Sequence, residues 1–70
     1  MELRRGTVRA FDSGTYRATV QLAGSLATYL EAVAVARNIA GAEMIVGRSC
    51  AVALFDPANP GDAVVVAVWT

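Results

Sequence analysis

Apolar and polar residues alternate most cleanly between Thr15 and Leu22. Tyr16, Ala18, Val20 and Leu22 fall on one side of an extended chain, and Thr15, Arg17, Thr19 and Gln21 on the other. This predicts a half-buried strand. A similar pattern precedes it over residues 3–12, where Val8 and Ala10 share a face and Arg5, Thr7 and Arg9 the opposite one. Phe11 falls out of step, which predicts a bulge or strong coil that turns its ring inward. Asp12-Ser13-Gly14 joins the two as a tight hairpin, with Gly14 free to take a positive φ. After an Ala23-Gly24-Ser25 turn, a third strand is predicted over residues 27–37, a fourth over 49–55 with Cys50, Val52 and Leu54 on one face, and a fifth over 63–69. Between the third and fourth lies an irregular stretch. Asn38 is placed to cap one helical turn through Ala40, Ala42 and Glu43, and Ile39, Met44 and Ile45 are candidates to plug one end of a core. The loop 56–62 holds Pro57 and Pro60, which fix φ and keep it out of either strand.

Five strands with short turns and one longer third-to-fourth connection predict an all-β domain spanning residues 1–70, a five-stranded OB-like Greek-key barrel. An SH3-like barrel is the alternative. Two of the strands have no polar face. In Ala63-Val64-Val65-Val66-Ala67-Val68-Trp69 every side chain is apolar, and Val33 and Val35 alternate with Ala32, Ala34 and Ala36. A strand in a domain with one interior buries one face there. The second apolar face is therefore expected to meet another protein, with Tyr29, Val33, Val35, Val64, Val66, Val68 and Trp69 as candidate interface residues.

Composition strengthens that expectation. Seventy residues is near the lower limit for a single-core fold, and such chains draw on disulfides, metals or oligomerisation. One cysteine excludes an internal disulfide, and the absence of histidine argues against structural zinc. Six basic and six acidic residues balance, so no net field draws in nucleic acid or anionic lipid. The charged start Met1-Glu2-Leu3-Arg4-Arg5 is unlike a signal peptide, and Arg37, Glu43, Arg48 and Asp56 interrupt any bilayer-length apolar run. A cytoplasmic or particle-associated protein without a membrane segment is expected.

Catalysis has little to work with. There is no histidine and no lysine, and Asp12, Asp56 and Asp62 sit in turns, where Asp bonds nearby backbone N–H groups. Neither catalytic residues, a cofactor nor a metal site is expected, and Cys50 reads as a buried structural thiol. For nucleic acid, Arg5, Arg9 and Arg17 are the candidate contacts across the outer face of the first two strands, with Tyr29 and Trp69 as exposed stackers. Phe11, Tyr16 and Phe55 are expected inside. A solvated or subunit-paired arginine face is the preferred reading, so nucleic acid is not the expected partner.

Gly6-Thr7-Val8-Arg9-Ala10-Phe11-Asp12, Tyr16-Arg17-Ala18-Thr19-Val20-Gln21-Leu22, Val46-Gly47-Arg48-Ser49-Cys50-Ala51-Val52 and the loop into Ala63-Val64-Val65 occur in an order that resembles the small OB-fold domains of phage contractile-tail baseplate and spike proteins and related injection machines. Cys50 stands where that pattern has valine, and Arg48 where it has an acid. The resemblance implies a structural role without catalytic residues: a stand-alone barrel that forms a ring or plug, or docks on a larger protein of the same particle. The function expected is thus a self-associating assembly protein. The alternatives are a single-stranded nucleic-acid-binding domain and an accessory subunit packed on a larger partner.

Overall fold

A computed structural model describes residues 1–23, 29–56, 58–59 and 61–70. Five strands, β1 (Glu2–Asp12), β2 (Arg17–Leu22), β3 (Tyr29–Val35), β4 (Ser49–Leu54) and β5 (Ala63–Trp69), close into a barrel in the order β1-β2-β3-β5-β4. All neighbouring pairs are antiparallel except β3 and β5, which run parallel and meet at Ala34 opposite Val64 and Val35 opposite Val65. One 3₁₀ turn, Gly41–Glu43, lies in the connection between β3 and β4. This is an OB-like barrel, and the ring order with its parallel β3–β5 seam displaces the SH3-like alternative.

The interior is filled by medium-sized side chains. Val8, Val20, Val52, Val65 and Cys50 are the largest that are fully buried, and Leu22, Val33, Val35, Leu54 and Ala63 complete the layers around them. Those on β1, β2 and β4 come from the face that alternation assigns inward, whereas on β3 and β5, with no polar face, alternation makes no such assignment.

Three one-residue register slips interrupt that alternation. On β1, Val8 pairs with Val20 but Ala10 with Thr19, leaving Arg9 extra. On β3, three steps from Leu30 to Val33 oppose two on β2, and Ala32 within them takes a left-handed φ of 55°. On β5, Ala67 pairs with Ala51 and Val65 with Val52, leaving Val66 extra. These are β-bulges, which bend and coil a strand and reverse its facing beyond them. The bulge predicted from Phe11 is therefore real and sits at Arg9. Its consequence is that Ala10 is exposed rather than sharing the inward face of Val8, while Phe11 packs against the core.

Tyr16 ties one end of the barrel together. It lies in the hairpin turn rather than in β2, and it, not Gly14, takes the positive φ there (56°). This turns its carbonyl to accept the Val35 N–H at 3.1 Å, while its hydroxyl donates to the Ile39 carbonyl. The ring stands edge-on to Phe11 at 5.1 Å, and the Arg37 guanidinium lies 4.8 Å from its centroid. Ile39 and Met44 plug this end as expected, but Ile45 is exposed. Asn38 does not cap the 3₁₀ turn. Ala40 holds the N-cap position, with no side-chain hydrogen bond. The connection is held to β1 instead, by Gly47 N–H to the Val8 carbonyl and Val8 N–H to the Arg48 carbonyl. The expected turn at Gly24 and Ser25, the start of the third strand at Ala27 and the roles given to Pro57 and Pro60 lie outside the described residues.

Among the described glycines, Gly6 has the closest neighbours. A Cβ at this inward position would stand 2.5 Å from Val20 Cγ1 and 3.0 Å from the Gln21 carbonyl oxygen. Overpacking of this kind costs about 1–3 kcal/mol, and each kcal/mol lowers the melting temperature of a domain this size by about 4–8 °C. Thermal unfolding of Gly6→Ala followed by circular dichroism should show that drop. An unchanged melting temperature would mean that β1 is free to move away from β2.

Candidate interaction surface

Register places the outward positions of β1, β4 and β5 in shared rows. Leu3 lies opposite Ala53 and Ala53 opposite Val64; Arg5, Ala51 and Ala67 form the next row; Thr7, Ser49 and Trp69 the one after. The extra residue Val66 lies between the first two rows on β5, and Phe55 follows β4 at the border, its N–H bonded to the Asp62 carbonyl at 3.1 Å. Every position in this outer surface is apolar or small except Arg5. Leu3 is 64% exposed, Phe55 52%, Val66 40% and Trp69 41%. Ala53 is only 3% exposed yet stands apart from the core cluster, because its outer neighbours cover it.

The expected interface residues divide. Val64, Val66 and Trp69 lie on this surface. Val68 does not: the bulge at Val66 turns it back against the core. Val33 and Val35, 3% and 4% exposed, are interior residues, so the outward face of β3 is the alanine side. Tyr29 is exposed, but at the start of β3, away from the β1–β4–β5 surface. Leu3 and Phe55 were not among the expected interface residues, and Phe55 was expected inside. Leu3 shares the outward parity of Arg5 and Thr7, which is the pattern that reveals it. Phe55 lies one residue past β4, where alternation no longer dictates burial.

The charged groups are mostly engaged within the chain. Arg9 donates twice to Gln21 Oε1, at 2.9 and 2.7 Å, and Arg17 donates to the Ala32 carbonyl at 3.0 Å. Arg48 pairs with Glu43 at 2.8 Å and Arg4 with Glu2 at 3.5 Å. Arg5 lies over Trp69, 5.9 Å from the ring centroid, near the outer limit of a cation–π contact. The three candidate nucleic-acid contacts do not form one groove: Arg5 and Arg9 share the outer side of β1, while Arg17 lies at the hairpin end. Asp12 Oδ1 accepts the Gly14 N–H and Asp56 Oδ1 the Ala58 N–H, the turn-stabilising role expected of both. Glu31 has no partner among the described residues.

A shallow depression of about 400 Å³ lies beside the β1–β2 hairpin, lined by Phe11, Asp12, Thr15, Arg17, Thr19 and neighbouring alanines. It contains no pairing of a nucleophile with a base. No group of three or more metal-binding side chains occurs among the described residues, and no described helix is long and apolar enough to cross a membrane. No protein-family model matches the chain, and neither a curated protein nor a solved structure is detectably similar to it.

Cys50 is fully buried and paired with Val68 on β5 and Gly6 on β1. Burial pushes its thiol up to about 11, with a backbone hydrogen bond from Gly6 offsetting part of the rise. The unfolded chain, with its thiol near 9.0, loses this proton first as pH rises. The stability contributed by the neutral thiol is therefore complete below about pH 9 and lost between there and about pH 11. Native protein at pH 8 should resist iodoacetamide and react only when unfolded by denaturant. Rapid native-state alkylation, read by mass spectrometry, would contradict this burial.

Proposed function

We propose that this chain is a non-catalytic assembly protein, an OB-like barrel that associates with further copies of itself through the outer surface of β1, β4 and β5. One observation carries the reading: Leu3, Phe55, Val66 and Trp69 are exposed on one contiguous surface whose remaining positions are apolar or small except Arg5. Soluble monomers rarely leave contiguous apolar patches of more than a few hundred Å² open to water. A standard interface takes about 800 Å² from each partner, roughly a fifth of the 4113 Å² that this domain presents. Trp69 is also the residue type in which binding energy concentrates at interfaces. Membership of a phage tail, a baseplate or a similar particle, with larger structural proteins as further partners, is supported by the ordered resemblance of the strand motifs.

Single-stranded nucleic acid is the second reading. It is favoured by the outer row Tyr29, Gln21, Thr7, Ser49 and Trp69, which runs across the strands with Arg9 bonded to Gln21 and Arg5 over Trp69. Aromatic platforms beside cations suit that ligand. The balanced charge and the internal engagement of these arginines favour protein contact instead.

Light scattering at micromolar concentration tests the proposal. The wild type should have a mass above that of one chain. Val66→Asp should give a folded monomer, Val68→Asp should fail to fold because that side chain packs inward, and Thr19→Asp should change neither mass nor fold. A monodisperse wild-type monomer that binds mixed oligonucleotides at low salt would replace the proposal with the second reading.

A further inference from the structure

The β1–β4–β5 surface carries one charge, Arg5, and no carboxylate within its rows. Two copies meeting face to face would bring two Arg5 guanidiniums into one apolar interface with no acid among those rows to pair them. Burying a cation without a partner is strongly unfavourable. A matching surface is present elsewhere on the chain. β3 pairs with β5 only through Ala34 and Val35, so the leading part of β3 extends past that seam as an open strand edge among the described residues. It presents Tyr29, 49% exposed, and, two residues on, Glu31, an exposed carboxylate without a partner among the described residues. The left-handed Ala32 bulges this edge immediately beyond Glu31. Bulges deter simple strand addition, so contact here falls to side chains.

We infer that association is head-to-tail: the β1–β4–β5 surface of one copy receives the β3 edge of the next, with Tyr29 against the apolar rows and Glu31 paired to Arg5. This deepens the self-association reading and rests on it. Two different surfaces of the same chain meet in such a contact, which generates a ring where the rotation closes and a filament where it does not. It leaves no Arg5 unpaired. The ion pair sets orientation and partner choice, while the apolar rows supply most of the affinity.

Sedimentation velocity on Arg5→Glu, Glu31→Arg and the double variant tests this, with circular dichroism to confirm that each is folded. Both sites are exposed, so folding should survive. Each single variant should weaken association at least tenfold and shift the population toward monomer, and the double variant should restore the wild-type mass. Single variants that keep the wild-type mass would overturn the pairing while leaving self-association standing. Restoration by Arg5→Glu with Asp62→Arg, instead of Glu31→Arg, would place the partner acid at the rim of the same surface and overturn the head-to-tail geometry. A monomeric wild type would remove self-association itself.

Discussion

Closing five short strands around an interior of valines is the constraint on which the other features of this barrel depend. Val8, Val20, Val52 and Val65, with Cys50, are the largest fully buried side chains among the described residues, and no aromatic ring is fully buried with them. The large side chains are displaced accordingly. Phe11 and Tyr16 pack half-buried at one end, and Tyr29, Phe55 and Trp69 lie outside. So narrow a barrel closes only if its strands coil strongly, and the extra residues Arg9, Val66 and the Glu31–Ala32 stretch supply that coil. Each bulge also decides which face the rest of its strand shows.

This explains what the bare sequence reveals and what it conceals. The all-β class, the strand count, the OB-like order and the inward set on β2 follow from period-two alternation, because nothing interrupts it between Arg17 and Leu22. The bulge on β1 is legible because Phe11 breaks a mixed polar and apolar pattern. The one on β5 is not, because Val66 lies among residues that are all apolar and a slip there leaves no mark. Val64, Val66 and Val68 therefore read as one face, whereas Val68 belongs with the core. On β3 the alternation separates valines from alanines but does not say which side is inward; Val33 and Val35 fill the core, while Ala32 is exposed and Ala34 half-buried. The surface formed by Leu3, Phe55, Val66 and Trp69 gathers residues from three strands, and only the register brings them together.

Two kinds of surface result. Around the hairpin and the β3–β4 connection, polar groups are answered within the chain: Arg9 by Gln21, Arg17 by a backbone carbonyl, Arg48 by Glu43, Arg37 by the face of Tyr16. Across β1, β4 and β5 the outer rows are mostly apolar, with Thr7 and Ser49 in one of them, and contain one charge, Arg5. A single-core domain of this size has little hydrophobic burial to spare, so covering this outer wall, as the proposed self-association would, adds stability. The proposed assembly role rests on this surface and on the resemblance of the strand motifs to tail and baseplate domains.

Trp69 is the chain's one tryptophan and lies on the surface in question, so its fluorescence reports directly on whether that surface is covered. Emission followed on dilution from micromolar to nanomolar protein tests the central claim. The account predicts short-wavelength emission protected from acrylamide at high concentration, moving to longer wavelength and becoming quenchable as the assembly dissociates. Long-wavelength, freely quenched emission at every concentration would mean that the β1–β4–β5 surface stays open to water and would contradict the account.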